Sequence, residues 1–347
     1  MERTELSELG EFGLIKHIGE GLKTQNSSTI KALGDDAAVV RAGEGLSLMS
    51  TDMLIEGVHF DLSYAPLKHL GYKAAIVNFS DIYAMNGRPT HMMISLGVSN
   101  RFSLEAIDEL YSGIKLAGEL YGVDIVGGDT VSSGSGLVVN IAVYGEVSEN
   151  KVTYRSGAKH NDLLVVSGDL GAAYMGLQIL EREKAVFQST PGVQPDLDGH
   201  DYVLERQLKP EARKDVVEML DKMGVRPTAM IDISDGLASE ILHLSDQSNL
   251  GFVVYDEKLP IDPTVITAAE EFKLDPSLCA LNGGEDYELL FTIDQNDFEK
   301  LKGSPHFSFI GHAIEGSKSQ LVAKDGTNHD LTAQGWDAFM KKQQEDL

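Results

Sequence analysis

Short acidic segments recur along this chain, and lysine and arginine are missing from them. A carboxylate in such a segment repels other carboxylates unless a cation shares the charge. Because the side-chain ligands are all oxygens, a metal ion in this role would be a hard one, Mg2+ or Ca2+, and not zinc. Nearby glycines allow close approach of a ligand, which suggests chemistry on a phosphorylated substrate. The segments are Gly34–Asp36, Ser50–Asp52, Ser80–Asp81, Gly127–Thr130, Asp232–Gly236 and Gly283–Asp286.

Most of these segments meet an apolar run, which predicts that they lie at strand or helix ends beside a cleft. Ser50–Asp52 ends a predicted strand over 46–50, and Gly127–Thr130 follows one over 123–126. Each segment also has a simple structural alternative, namely a turn, a helix N-cap or a solvated loop. Asp81 is more informative, because it lies in the otherwise apolar stretch 74–85. A buried carboxylate there costs roughly several kcal/mol unless it is paired.

The overall charge excludes some classes of partner. The chain has 347 residues with 54 acidic and 29 basic side chains, a formal net charge of -25. Nucleic acid and anionic membranes are therefore not expected as partners, because both need a basic face. No apolar run reaches the roughly 20 residues of a membrane helix. Residues 1–16 lack the apolar core of a signal peptide, and Cys279 is the only cysteine, so we expect a cytoplasmic protein.

Strands and helices are predicted without strict alternation, which favours α+β architecture over one doubly wound sheet. We expect an N-terminal domain over 1–150 and a C-terminal α+β domain over 151–347, with mixed sheets and flanking helices. The predicted helices are 6–18, 67–85, 104–121, 172–184, 211–223 and 237–245. The predicted strands are 46–50, 92–99, 123–126, 137–147, 163–166, 230–233, 252–255, 289–293 and 307–310.

Known nucleotide-binding signatures are missing from the sequence. No segment matches the P-loop, and no Gly-x-Gly-x-x-Gly opens a helix after a strand. A nucleotide would therefore be bound by a different type of site. His59 follows the second acidic segment, and a cationic or hydrogen-bonding histidine there could meet a phosphate, although a lone histidine is more often structural.

Nine segments taken together resemble one family in their order along the chain. The resemblance to the bacterial thiamine-monophosphate kinases runs from about Glu11 to Trp336. The segments that carry it are Glu11–Ile15, Gly34–Ala37, Ser50–Asp52, Gly57–Phe60, Asn78–Asp81, Val126–Thr130, Arg155–Ala158, Asp232–Leu237 and Gly283–Leu289.

The resemblance implies ATP-dependent phosphorylation of thiamine monophosphate to thiamine diphosphate. It also implies the two-domain fold shared with aminoimidazole ribonucleotide synthetase. The N-terminal domain would then bind ATP and Mg2+ and form a homodimer, and the C-terminal domain would complete the active site.

Site residues also follow from the resemblance. Magnesium ions would be held by the residues at matching positions, which are Asp36, Ser50, Thr51, Asp52, Asp81, Asp129, Asp232 and Asp235. ATP would be contacted by Tyr111, Gly128, Asp129, Arg155 and Ser234. Thiamine monophosphate would be contacted by His59, Glu285 and Trp336. Trp336, the only tryptophan, could stack on the cationic thiazolium ring or simply anchor the C-terminal segment.

The expected reaction is direct in-line phosphoryl transfer assisted by Mg2+. The acceptor is already an anionic phosphate, so no acid–base residue is assigned. Rival activities within the superfamily are those of selenophosphate synthetase, the hydrogenase-maturation carbamoyl dehydratase and aminoimidazole ribonucleotide synthetase. The first two use a cysteine near the N-terminus or the C-terminus, where this chain has none. A noncatalytic Ca2+-binding protein is a rival of another class, but no EF-hand pattern is present.

Overall fold

The computed structural model describes residues 17, 19–31, 39–40, 45–190 and 192–335. The chain divides into two compact units. The first unit comprises the residues up to Tyr154 together with Leu180–Asp196 and Leu208–Arg226. The second unit comprises Arg155–Ile179, Leu197–Gln207 and the residues from Pro227 onward.

The first unit is built on a four-stranded mixed sheet with two long helices packed on one face. Its described elements up to Tyr154 are β1 (Thr29–Lys31), β2 (Val39–Val40), β3 (Leu46–Ile55), α1 (Leu67–Ala84), β4 (Arg88–Val98), α2 (Leu104–Tyr121), β5 (Asp124–Ser132) and β6 (Val138–Val147). The strand order is β3–β6–β4–β5, and only β4 and β5 pair in parallel. The strands β1 and β2 form a separate antiparallel pair.

Local sequence signals account for the bounds of helix α2. Helix α2 begins after Ser103, whose hydroxyl accepts the Ala106 N–H, and it ends at Gly122 in the left-handed conformation. The two helices approach closely because of small residues. A Cβ on Gly113 would lie 1.8 Å from the carbonyl oxygen of Lys68 on α1. The helices thereby form, with the inner face of the sheet, one continuous apolar core.

The second unit contains a seven-stranded mixed sheet of order β13–β12–β9–β11–β7–β10–β8. Its strands are β7 (Leu163–Ser167), β8 (Ala229–Asp232), β9 (Gly251–Tyr255), β10 (Leu289–Ile293), β11 (Phe307–Ile314), β12 (Gln320–Val322) and β13 (Asn328–Asp330). The other helices with described bounds are α3 (Ala172–Ser189), α4 (Asp201–Leu208), α5 (Lys214–Met223), α6 (Leu237–Ser248), α7 (Pro263–Glu271), α8 (Pro276–Asn282) and α9 (Phe298–Leu301). Only β12 and β9 pair in parallel in this sheet.

The predicted α+β class with mixed sheets is confirmed, and α1 and α2 lie within one residue of their expected bounds. The expectation that Ser50–Asp52 and Gly127–Thr130 lie at strand ends is wrong. Both segments lie inside longer strands, β3 and β5, because pairing with neighbouring strands extends the ladder through polar residues. The predicted helices do not include α4, α7, α8 or the short α9. Most of the helix expected over 6–18 lies outside the described residues. No helix in the described part of the chain is long and apolar enough to cross a membrane.

Candidate functional site

Four polar side chains of β3 and α1 come together in the first unit. Ser50 and Asp52 share one face of β3 with Leu48 and Leu54, and this is the face that the helices cover. The Ser50 hydroxyl donates to the carboxylate of Asp81. The backbone N–H of Asp52 donates to Oδ1 of Asn78 at 2.9 Å, and Asn78 is fully buried. We call Ser50, Asp52, Asn78 and Asp81 the β3–α1 cluster.

Two other predicted metal residues lie on the opposite, open face of the same sheet. Thr51 points there by strand alternation, and its hydroxyl accepts a hydrogen bond from Nδ2 of Asn140 at 3.0 Å. Asp129 pairs in register with Ser95, and Ser95 with Asn140, so its exposed carboxylate lies on that face as well. The sheet therefore separates Thr51 and Asp129 from the β3–α1 cluster. Asp36 lies outside the described residues.

Two predicted ATP-binding positions, Gly128 and Tyr111, lie in the first unit, and the structure explains the residue type at Gly128. Gly128 faces Ile94 in the parallel ladder, and a Cβ at 128 would lie 1.8 Å from the Ile94 carbonyl oxygen. Glycine is required there by the close approach of two backbones. Tyr111 is buried in the core between sheet and helices, and burial raises the pKa of its hydroxyl. Contact of either residue with ATP stays a prediction.

The geometry of His59 selects one tautomer of the neutral ring. The backbone N–H of Ile55 donates to Nδ1 of His59 at 3.1 Å, and the His59 N–H donates to the Ile55 carbonyl at 2.9 Å. Because Nδ1 acts as an acceptor, the ring proton of neutral His59 lies on Nε2. In the neutral ring the N–H donor is therefore Nε2.

In the second unit, two acidic loops are joined to each other. We call residues 232–236 and 283–288 the paired acidic loops. The first connects β8 to α6, and the second connects α8 to β10. Their backbones pair so that Asp232, Ser234, Asp235 and Glu285 lie in one region. The joining hydrogen bonds run from Glu285 N–H to Ser234 O at 2.7 Å, from Tyr287 N–H to Ile233 O at 2.8 Å and from Ile233 N–H to Glu288 O at 2.8 Å.

The described end of the chain packs against these loops. A Cβ on Gly335 would lie 2.0 Å from the carbonyl oxygen of Asp235. The N–H of Gln334 donates to Oδ1 of Asn282 at 3.0 Å. Trp336, the next residue, lies outside the described residues. Its predicted contact with the substrate stays a prediction.

A buried carboxylate supports the first of the paired loops. The backbone N–H of Asp235 donates to Oε1 of Glu240 at 3.0 Å. Burial raises the pKa of Glu240 to about 7, while backbone donors and the charge of Arg155 oppose this rise. Arg155 itself is exposed and offers a cation on the side of this loop. Asp232, in contrast, is buried at the end of β8.

The second of the paired loops is held by an arginine that the sequence analysis missed. Nη1 of Arg206 lies 3.1 Å from Oε1 of Glu288, and Nη2 lies 3.8 Å from Oδ1 of Asp286. Asp286 also accepts the Gly171 N–H at 2.7 Å. Burial raises the pKa of Asp286 to about 7, and Arg206 opposes this rise. The available signal was Glu285–Glu288, a run with three carboxylates that leads into a buried strand and therefore needs a cation.

The donor chemistry fits a hard cation that brings further ligands with it. Among the residues that the structure describes, no three acidic, histidine or cysteine side chains lie close enough to hold a metal by themselves. Magnesium is commonly held by one or two carboxylates plus water and substrate phosphates. The hydroxyl of Ser50 beside the carboxylate of Asp81, with Asp52 on the same face, matches such a partial oxygen set.

The chain is similar in sequence to proteins of one known family. Residues 34–147 match the family described as AIR synthase related protein, N-terminal domain. Thiamine-monophosphate kinase of Bacillus subtilis (strain 168) is 34% identical over 340 residues, covering 95% of this chain and 100% of that protein. The Aquifex aeolicus (strain VF5) thiamine-monophosphate kinase is 36% identical over 334 residues, covering 96% and 99%.

A solved structure extends the likeness to three dimensions. AaThiL complexed with AMPPCP and TMP matches with a TM-score of 0.74 at 32% identity, covering 98% of this chain and 100% of that chain. The AIR-synthase-like fold that the resemblance implied is therefore confirmed.

Proposed function

We propose that this chain, which belongs to the thiamine-monophosphate kinase family, transfers the γ-phosphoryl group of ATP to thiamine monophosphate. The product is thiamine diphosphate. The observation that carries the proposal is the match along nearly the whole chain to AaThiL complexed with AMPPCP and TMP. AMPPCP is an analogue of ATP, so that complex pairs a donor analogue with the acceptor.

Magnesium belongs to this proposal as the cation that the acidic residues would hold. In the first unit the holders would be Ser50, Asp52 and Asp81 of the β3–α1 cluster, and in the second unit Asp232 and Asp235. The set predicted from the sequence adds Asp36, Thr51 and Asp129. When bound, magnesium screens the mutual repulsion of the phosphates and stabilises charge on the transferring group.

The side chains of the chain itself bind and orient the two substrates. His59 would donate its Nε2–H to the acceptor phosphate, since Nδ1 is already occupied by the Ile55 N–H. Glu285 would attract the positively charged thiazolium part of the acceptor, because a carboxylate beside the phosphate would be repelled. Arg155 and Ser234 would contact ATP. The acceptor oxygen is already anionic, so none of these residues has to remove a proton.

A homodimer through the first unit is also part of the proposal. Large apolar side chains are exposed on the open face of the first-unit sheet. They are Met49 (80% exposed), Met53 (51%), Met93 (49%) and Val131 (56%). An apolar surface of this kind on a sheet is typical of a protein–protein interface. Light scattering on a Met49→Glu, Met93→Glu variant tests this dimer, and an unchanged dimer mass would contradict it.

The cytoplasmic location stays a prediction.

The direct test is a product assay. Purified protein with ATP, Mg2+ and thiamine monophosphate should form thiamine diphosphate and ADP in equal amounts. Free thiamine is the matched control acceptor and should not be phosphorylated, because it lacks the anionic nucleophile. A second arm replaces Mg2+ by Ca2+. Calcium binding without any ATP turnover under either metal would refute the kinase proposal and favour a calcium-binding protein.

A further inference from the structure

The loop that carries Glu285 has an unusual backbone. Glu285 (φ 68°) and Tyr287 (φ 51°) both adopt the left-handed conformation, on either side of the buried Asp286. Residues other than glycine rarely adopt this conformation, and they keep it only where the surroundings enforce it. Contacts from the surrounding structure must therefore hold this loop in its conformation.

Helix α4 supplies one part of that enforcement through Arg206. Nη2 of Arg206 donates to the carbonyl oxygen of Asp286 at 3.1 Å and to that of Asp169 at 3.3 Å. Nη1 donates to the carboxylate of Glu288 at 3.1 Å. One guanidinium group thus holds the backbone of the loop and the carboxylate at its end.

The next residue of α4 reaches the side chain of Glu285 itself. Nε2 of Gln207 donates to Oε2 of Glu285 at 2.9 Å, across 78 residues of sequence. Gln207 is only 6% exposed, so this hydrogen bond is shielded from solvent. A shielded donor to a carboxylate restricts its rotamer and direction, and the precision of a binding site depends on such support.

We infer that Gln207 is a positioning residue for acceptor recognition, which acts by fixing the carboxylate of Glu285. This rests on the proposed function, because that function is what makes Glu285 a contact of thiamine monophosphate. Gln207 does not touch the acceptor in this view. Its contribution is to keep Glu285 pointing in one direction within a loop whose backbone Arg206 holds.

The test begins with Gln207→Met, which keeps the length and approximate volume of the side chain and removes the donor. A hydrogen bond to a charged group contributes more free energy than one between neutral groups. We therefore expect its loss to raise the KM for thiamine monophosphate about three- to thirtyfold. The KM for ATP should stay within about twofold. The matched control is Gln247→Met on α6, where an exposed glutamine lies 3.5 Å from a carboxylate, and both KM values should be unchanged. Should methionine prevent folding, Gln207→Asn withdraws the donor by one methylene.

A double-mutant cycle separates positioning from plain structural support. If Gln207 acts through Glu285, then Gln207→Met should change the acceptor KM by less than about twofold in a Glu285→Ala background. A structural role would give the same loss in both backgrounds. Equal losses, or an unchanged acceptor KM in the single Gln207→Met variant, would overturn the inference.

Hydrogen exchange of the unliganded protein provides a readout without activity. The N–H groups of Glu285 and Tyr287 are bonded to the other acidic loop, and their exchange should become faster in Gln207→Met. If the unmutated protein makes no thiamine diphosphate, the proposed function fails and the acceptor role of Gln207 fails with it. Exchange then still decides whether Gln207 holds the loop. An active wild type with an unaffected Gln207→Met variant defeats the inference alone.

Discussion

Replacement of Arg206 by methionine should be among the most damaging single changes in the second unit. The Arg206 side chain is 19% exposed, while its partners Glu288 and Asp286 are 1% and 0% exposed. Arg206 lies 3.1 Å from Glu288 and 3.8 Å from Asp286. At an effective dielectric constant of about 20, charge pairs at these two distances attract by about 4–5 kcal/mol each before desolvation. Removing one partner of a buried ion pair leaves an uncompensated charge, so we expect a loss of about 3–5 kcal/mol in the free energy of unfolding.

The assay is urea denaturation followed by circular dichroism at pH 5 and pH 8. Burial raises the pKa of Asp286 from its usual value of 3.8 to about 7 in the folded protein, so folding favours the protonated carboxyl group. The stability that Asp286 contributes through this protonation is therefore full below about pH 4 and is lost as the pH rises through about 7. Without Arg206 that pKa rises further. The penalty of Arg206→Met should consequently be larger at pH 8 than at pH 5.

Companion variants keep this prediction testable if Arg206→Met does not fold. Arg206→Lys keeps the charge but loses the fork of donors, and we expect a loss of about 1–2 kcal/mol. Adding Glu288→Gln to Arg206→Met removes one buried charge and should restore part of the stability. Arg88→Met is the control, because Arg88 is 62% exposed and 3.9 Å from Glu146. Its effect should stay within about 0.5 kcal/mol. A loss below about 1 kcal/mol for Arg206→Met, or a penalty independent of pH, would refute the reasoning.

Four further predictions concern activity, packing and chemical reactivity. Asp81→Asn should lower turnover by about 10²- to 10³-fold without unfolding the protein, because it weakens a metal-holding set; near-normal turnover with the same Mg2+ requirement would contradict it. Gly128→Ala should cost about 3 kcal/mol or more in thermal or urea unfolding, because its Cβ would lie 1.8 Å from a main-chain oxygen, whereas Gly134→Ala, which meets nothing within 4 Å, should be nearly neutral. Cys279 is buried with a pKa raised to about 11, so iodoacetamide at pH 8 should alkylate the folded protein at least about a hundredfold more slowly than the urea-unfolded chain; equal rates would show an accessible thiol. Trp336→Ala should raise the KM for thiamine monophosphate roughly two- to thirtyfold with little change for ATP, and fluorescence of this single tryptophan should respond to thiamine monophosphate; an unchanged KM and a silent emission would leave it a packing residue.

Elements with strong local signals could be predicted from the sequence. Helix α2 combines apolar residues at helical spacing with an N-cap serine and a terminal glycine, and its observed bounds equal the predicted ones. The strand over 138–147 shows regular alternation between buried and half-buried residues. The order of nine segments along the chain was also sufficient to identify the family. The bounds of α2 and of this strand depend on neighbours within a few residues, which is the range that a local sequence pattern reports.

The direction and support of the site side chains were decided only by tertiary structure. Ser50 and Asp52 extend a strand instead of ending it because β6 and Asn78 satisfy their backbone groups. Asp129 lies on the other face of the sheet because of its register with β4, which no local pattern encodes. Contacts from Arg206 and Gln207 to the Glu285 loop span roughly 80 residues of sequence. Such contacts form only where packing brings distant elements together, so the acidic residues could be found in the sequence while the groups that orient them could not.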